Sequence, residues 1–138
     1  MTRIAGSFFA FHGRPRATKH IDLLLAGGPD NLRRAALALT RFGAPPNVVS
    51  AIETMGDSDV VFMGQPPLRV DFMRTIDGIE PRALFDRAIA ADLDGVPVRV
   101  ISLPDLIRNK RAPGRPQDVI DAEFLERLVA GTPRWEEK

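Results

Sequence analysis

Short apolar runs alternate with amphipathic stretches along this chain, and no other feature of the sequence limits the fold as strongly. Glycine and proline mark the boundaries between the two kinds of segment. No repeat, low-complexity segment or long linker interrupts the alternation, so we expect one domain over residues 1–138. The alternation predicts an α/β or α+β fold class.

Each segment is assigned from its periodicity and from the turn residues that flank it. Residues 1–101 are expected to form the core sheet with its helices, and residues 102–131 a C-terminal helical pair. The predicted strands cover residues 2–5, 21–25, 60–63, 68–73, 88–93 and 96–101. The predicted helices cover residues 29–42, 47–54, 102–111 and a last segment from residue 116, and another helix is expected to start within residues 6–11.

The segment 29–42 carries the strongest helix signals. Asp30 lies in its first turn, where a negative charge complements the helix dipole, and Gly43 suits a left-handed C-cap. The predicted apolar face consists of Leu32, Ala36 and Leu39.

Three further signals lie in the C-terminal half. Asp94 and Gly95 both tolerate positive φ, which predicts a tight hairpin between the strands on either side. Ser102 followed by Asp105 forms a capping-box pattern at the start of a helix. The last helix is predicted to bury a face made of Ile120, Phe124 and Leu128.

Composition excludes several classes of protein. The chain has no cysteine, which excludes disulfides, thiolate zinc sites, iron–sulfur clusters and cysteine nucleophiles. Its 19 basic and 18 acidic residues nearly balance, unlike those of histone-like binders. No apolar run reaches the roughly 18 residues of a membrane span, so we expect a cytoplasmic protein with no membrane partner.

Two carboxylates interrupt predicted strands that are otherwise largely apolar. Asp22 lies within residues 19–25 and Asp71 within residues 68–73. A buried carboxylate is costly unless it is paired or binds a metal, and two on adjacent strands can converge on a divalent cation. The alternative is a salt bridge in which Arg69 or Arg16 neutralises each acid.

Gly6 and Ser7 stand between a predicted strand and a predicted helix start. Glycine allows an anion to approach the backbone, and a serine hydroxyl can add a hydrogen bond to a phosphate. Taken alone, the dipeptide is more typical of an ordinary strand-to-helix turn made of small residues.

A cluster of cations covers the end of the first C-terminal helix and the connection to the second. No acid occurs between Asp105 and Asp118, so the cluster could hold the phosphates of a nucleotide or of RNA. The alternative is a solvated helix end whose cations complement the dipole. The cluster consists of Arg108, Lys110, Arg111 and Arg115.

These features follow one another in an order that resembles the nucleotidyltransferase superfamily of polymerase-β type. The chain is similar in particular to the bacterial abortive-infection nucleotidyltransferase proteins of type IV toxin–antitoxin systems, over essentially its whole length. The resemblance implies a mixed β-sheet flanked by helices. The ordered motifs are Gly6-Ser7, Arg16-Ala17-Thr18-Lys19-His20-Ile21-Asp22, Arg69-Val70-Asp71, and Lys110 with Gly114-Arg115 and Asp118.

The resemblance also implies roles for residues in the N-terminal half. In that family a Gly-Ser turn holds the nucleotide phosphates, and Gly6 and Ser7 match it. Asp22 and Asp71 match two of the family's three metal-binding acids and are the expected catalytic pair. The resemblance further implies that Arg16 and Thr18 contact the nucleotide.

In the C-terminal half, the resemblance carries over a second group of residues. Lys110 is expected to act in catalysis and, with Arg115, to bind the nucleotide, while Asp118 supports them. The implied substrate is a nucleoside triphosphate, and the implied cofactor is Mg²⁺ or Mn²⁺.

The chain departs from the family pattern at two places. The family expects aspartate at position 20, and His20 is here a substitute metal ligand, a general base, or the mark of a degraded site. Family members also carry a helix before the Gly-Ser turn, so either the true start lies upstream or this copy lacks the helix. Without that helix, an antitoxin or another protein would cover the N-terminal face.

The resemblance therefore predicts one of two functions. The first is transfer of a nucleoside monophosphate to a hydroxyl of an RNA, such as a tRNA, or of a protein. The alternative is a catalytically inactive nucleotidyltransferase fold that acts as a protein- or RNA-binding module.

Overall fold

The computed structural model describes residues 4–7, 20–65 and 68–130, in which strands and helices alternate as the sequence predicts. The strands are β1 (Ile4–Ser7), β2 (His20–Leu25), β3 (Val60–Gln65), β4 (Leu68–Met73), β5 (Ile89–Leu93) and β6 (Val96–Val100). The helices are α1 (Pro29–Phe42), α2 (Pro46–Glu53), α3 (Pro81–Arg87), α4 (Leu103–Arg111) and α5 (Pro116–Ala130).

The described strands form one six-stranded sheet of mixed direction, in the order β3-β4-β2-β1-β6-β5. The inner strand β2 pairs antiparallel with β1 and parallel with β4. The hairpins β3–β4 and β5–β6 complete the two edges. The mixed α+β architecture with helices around a sheet is therefore confirmed.

Helices α1 and α2 pack on one face of the sheet. Leu25 and Phe72 share a hydrophobic cluster with Leu32 and Ala36 of α1 and Ile52 of α2. The predicted apolar face of α1 is confirmed, because Leu39 packs against this cluster, to which Leu32 and Ala36 belong. The predicted glycine C-cap is confirmed as well, with a φ of 98°.

Helices α3, α4 and α5 contribute to a second cluster, which includes β2 and β4 residues from the opposite face. Leu24 and Met73 belong to it, together with Leu84 of α3, Leu106 of α4 and Leu125 of α5. Since side chains alternate along a strand, this face of β2 and β4 is also the one that carries Asp22 and Asp71.

Local capping signals act as the sequence predicts. The backbone N–H of Asp105 donates to the Ser102 hydroxyl at 3.3 Å, as a capping box requires. Asp94 and Gly95 adopt φ values of 52° and 85°, which confirms the predicted hairpin turn.

Helix α3 begins at an N-cap that the sequence predictions missed. The Glu80 carboxylate accepts hydrogen bonds from the backbone N–H groups of Ala83 and Arg82, and these bonds hold its pKa below the usual range. With only seven residues, α3 is too short to show clear periodicity.

Two predictions about local structure are wrong. Gly6 and Ser7 belong to β1 and do not start a helix, because they pair with Leu23 and Asp22 of β2. In α5 the predicted face is buried only in part, since Ile120 is 51% exposed. Acidic side chains are buried in α5 instead, because neighbouring cations and an amide satisfy them.

Within the described ranges, every helix is too short or too polar to cross a membrane.

Candidate functional site

The two acids singled out in the sequence lie side by side in the sheet. Strands β2 and β4 run parallel with Asp22 directly opposite Asp71. Adjacent strands are about 4.8 Å apart, so both carboxylates leave the same face at neighbouring positions. On the far side of β4, Phe62 of β3 is opposite Asp71, and on the far side of β2, Ser7 is opposite Asp22. One row across four strands therefore contains both acids, and we call these four residues the acid row.

Asp71 is buried with its carboxylate clamped by an arginine. It is 6% exposed, and Arg69 donates to it from Nε at 2.7 Å and from Nη2 at 3.0 Å. The two residues are two positions apart in β4 and share a face of the sheet. Of the two alternatives for Asp71, the salt bridge with Arg69 is present in the structure.

The same guanidinium stacks on an aromatic ring. The Cζ atom of Arg69 lies 4.4 Å from the centroid of the Phe62 ring, which is within the range of a cation–π contact. The Phe62 residue is 51% exposed. Asp71, Arg69 and Phe62 therefore form a continuous stack that begins at a buried carboxylate and ends at an exposed ring.

Of the other N-terminal residues predicted for the site, three lie in described strands and two lie outside the described residues. Gly6 and Ser7 are backbone neighbours of β2 at the row of acids, although in a strand and not in a turn. His20 is opposite Arg69, two residues before Asp22 along β2. Arg16 and Thr18 lie outside the described residues.

The acid pair fits one common mode of magnesium binding. Mg²⁺ prefers oxygen ligands and is often held by one or two carboxylates together with substrate phosphates. A carboxylate has about four acceptor positions, and the bidentate contact with Arg69 uses two of those on Asp71. No group of three or more acidic or histidine side chains suited to a metal occurs in the described part of the chain. The pair thus fits a metal shared with phosphates better than a closed protein cage.

The predicted C-terminal residues come together where α4 meets α5. Asp118, which is 7% exposed, receives a hydrogen bond from Nε of Arg115 at 2.6 Å. Lys110 Nζ lies 3.9 Å from the other carboxylate oxygen. Lys110 and Arg115 therefore both contact Asp118, which is their shared anion.

The remaining cations of this cluster are also paired with acids. Arg108 lies 3.3 Å from Asp105, which is fully buried and also binds Arg87 through two hydrogen bonds of 2.8 and 2.9 Å. Arg111 pairs with Glu126. These carboxylates raise the pKa of Arg87 and of Arg111. The positive charges of the acid-free stretch 106–117 are thus neutralised by carboxylates that lie outside that stretch.

An apolar cavity of about 510 Å³ lies on the opposite face of the sheet from the acids. Ile21, Met63 and Val70 line it together with Phe42, which ends α1 and is 76% exposed. Arg69 also contributes to the lining, and the other lining residues are apolar or glycine, so the cavity is poorly suited to hold a triphosphate.

The sequence predictions missed Phe62 as part of the site. The sequence predicts that this strand ends at residue 63, whereas β3 continues to Gln65 and pairs there with Leu68. That register places Phe62 opposite Asp71, and the shorter predicted strand did not reveal it.

Comparison with known proteins adds no assignment. No model of a protein family matches the chain, and no curated protein matches its sequence significantly.

Proposed function

We propose that this protein is a nucleotidyltransferase-type domain that binds a nucleoside triphosphate with a divalent metal at Asp22 and Asp71. The observation that carries the proposal is the register of two parallel strands, which sets these acids side by side on one face of the sheet. Ser7 lies opposite Asp22, so the chain supplies a Gly-Ser dipeptide at the same place. A metal ion bound in such a site would offset the free-energy cost of burying Asp71 within an apolar strand.

Asp22 and Asp71 would hold the metal, with Mg²⁺ or Mn²⁺ as the candidates. When bound, such an ion neutralises triphosphate charge and polarises the reacting phosphate. In the transfer, an acceptor hydroxyl oxygen forms a bond to the α-phosphorus, and the bond from that phosphorus to the pyrophosphate oxygen breaks. Pyrophosphate leaves, and the hydroxyl proton passes to water.

Lys110 and Arg115 are the proposed phosphate contacts from the C-terminal helices. Helices α4 and α5 contribute to the hydrophobic cluster that contains Leu24 and Met73, which lie on the same face of β2 and β4 as the acids. The Arg115 side chain is 74% exposed, so exchanging Asp118 for a phosphate costs it little. These placements support the predicted roles of both cations.

The test is titration calorimetry of each nucleoside triphosphate in Mg²⁺ and separately in Mn²⁺. We expect binding by the wild-type protein and at least a tenfold loss in Asp22→Asn and in Asp71→Asn, because each removes a charged oxygen ligand. Asp30→Asn is the matched control, since it changes an exposed acid on α1 that pairs with Arg33. Binding that survives in both Asn variants, or that never appears in either metal, would contradict the proposal.

A second candidate function is a catalytically inactive fold that serves as a binding module. Two observations favour it: Arg69 already neutralises Asp71, and histidine stands at position 20, opposite that arginine. Transfer from an α-labelled nucleoside triphosphate separates the two functions. Activity in the wild-type protein supports the enzyme, whereas activity that appears only in His20→Asp identifies a site degraded at one ligand.

A further inference from the structure

The exposed end of the acid row has chemistry that nucleotide and metal binding do not require. Phe62 presents about half of its surface, although it lies within a sheet strand, and the Arg69 guanidinium lies over its ring. Asp71 fixes the guanidinium through two hydrogen bonds. Asp71 holds the edge of the guanidinium and the Phe62 ring covers one of its faces, so Arg69 loses little further side-chain entropy when a ligand binds.

The ion pair also selects the kind of ligand. Because Asp71 neutralises Arg69, the stack offers a flat polarisable surface with little net charge, which suits a planar ring better than a phosphate. Nucleobases stack on aromatic rings and on arginine planes, and this mode tolerates any base because each one has a π-face. A base in a duplex is unavailable for such stacking, so an unpaired base is required.

We propose that Phe62 and Arg69 form a stacking platform for an unpaired base of a single-stranded nucleic acid. The platform concerns a second ligand and goes beyond the nucleotide site at Asp22 and Asp71. Between Ser7 and His20 the sequence contains Arg14, Arg16 and Lys19 and no acid. Cations of this kind attract the phosphates of a nucleic acid.

The experiment is fluorescence anisotropy of labelled ten-nucleotide U and dT strands, in buffer with EDTA and without nucleoside triphosphate. We expect both single strands to bind, since stacking does not read the sugar, and a duplex of equal length to bind more weakly. Phe62→Leu should lower the affinity about tenfold, the scale of one lost stacked base. The dependence of affinity on salt should not change, because the proposed contact of the ring is with a base and not with a phosphate.

Phe42→Leu is the control, since it removes an even more exposed ring from the end of α1, on the opposite face of the sheet, and should leave the affinity unchanged. Phe62→Trp provides a second variant that keeps the platform. Its affinity should match that of the wild type, and its emission should be quenched by the bound strand beyond any change in the native Trp135. The wild-type protein, in which Trp135 is the single tryptophan, gives the baseline.

Three results would overturn the platform: no binding of either strand, equal binding of the duplex, or equal affinities in Phe62→Leu and Phe42→Leu. Because the assay lacks metal and nucleoside triphosphate, its outcome is independent of the binding tested with Asp22→Asn. Loss of nucleotide binding alone would refute the proposed enzyme and leave the platform standing.

Discussion

Two buried aspartates of this protein make almost the same contact and serve different ends. Asp105 of α4 and Asp71 of β4 each receive two hydrogen bonds from one arginine. Arg87, the partner of Asp105, lies 18 positions away at the end of α3, so that pair joins two helices. Arg69, the partner of Asp71, lies two positions away in the same strand, so that pair joins no two elements.

The Asp105 pair can contribute to the stability of the fold because it joins two helices. The Asp71 pair joins no elements, so burial of that carboxylate needs a different explanation. An ion pair between elements stabilises their packing when its geometry is good and its partners are well bonded. A pair within one strand orients its own side chains and little else. Asp71 therefore points to a site, whereas Asp105 is sufficiently explained by the packing of α3 on α4.

The largest expected effect is the loss of stability in Asp105→Asn. We expect a loss of about 3 kcal/mol, because a fully buried carboxylate with three arginine hydrogen bonds is removed and the amide donors then face guanidinium groups. Asp71→Asn should cost less, about 1.5 kcal/mol, the lower end for hydrogen bonds to charged groups, because Arg69 is partly exposed and water can replace its lost partner. Urea unfolding at neutral pH measures both free energies.

The exposed pair of Asp30 and Arg33 serves as the control, and Asp30→Asn should change stability by less than about 0.5 kcal/mol. Equal losses in the Asp105 and Asp71 variants would break the contrast, since Asp71 would then also be a structural residue.

The second prediction concerns the hairpin that presents Phe62 and Arg69. Gly64 has a φ of 89°, and a Cβ there would lie 2.6 Å from the Leu68 carbonyl oxygen. Gly64→Ala should therefore cost about 2–3 kcal/mol, the sum of left-handed strain and the backbone clash.

Gly95→Ala separates the two causes. Gly95 has a similar φ of 85°, but a Cβ at this position would meet nothing within 4 Å, so only about 1 kcal/mol of strain is expected. Urea unfolding of both variants gives the difference. A Gly64→Ala protein as stable as Gly95→Ala would show that this hairpin is free to shift, and the fixed stack of Arg69 on Phe62 would lose its support.

The smallest expected effect tests whether the helical pair has a role beyond structure. Lys110→Ala should weaken nucleoside triphosphate binding about tenfold, in line with the loss of one charged phosphate contact. It should change stability by less than about 1 kcal/mol, because the 3.9 Å contact with Asp118 is long. Titration calorimetry and urea unfolding provide the two measurements.

Arg127→Ala is the control for loss of a positive charge, since Arg127 lies in the last turn of α5. If both variants bind nucleotide like the wild type, Lys110 belongs with Asp105 among the structural charges, and the strand site acts without the helical pair.

Much of the fold is predictable from the sequence because its signals are local. The helix α1 and strand β4 occur at their predicted bounds, and the capping box and the hairpin turn depend on residues within a few positions of each other. Helix α3 escaped prediction because it has only seven residues. The strand position of Gly6 and Ser7 depends on pairing with β2, which their own composition does not indicate.

The candidate site was predictable only in part. Asp22 and Asp71 stand out as acids in apolar strands, whatever the register. The clamp of Arg69 on Asp71 was one of two alternatives, and the place of Phe62 depended on the pairing of β3 with β4. Two of the C-terminal ion pairs could not be predicted, because the packing of α5 on α4 brings Glu126 to Arg111 and Asp118 to Lys110.

By itself, the sequence determined the kinds of segment, most of their caps and turns, and the two acids that interrupt apolar strands. These depend on periodicity, on backbone preferences and on side-chain chemistry, which act over a few residues. Only the tertiary structure decided which residues share a row and which acid neutralises which cation. Strand register and helix packing join residues far apart in the chain, and Asp22 and Asp71 become neighbours through that register alone.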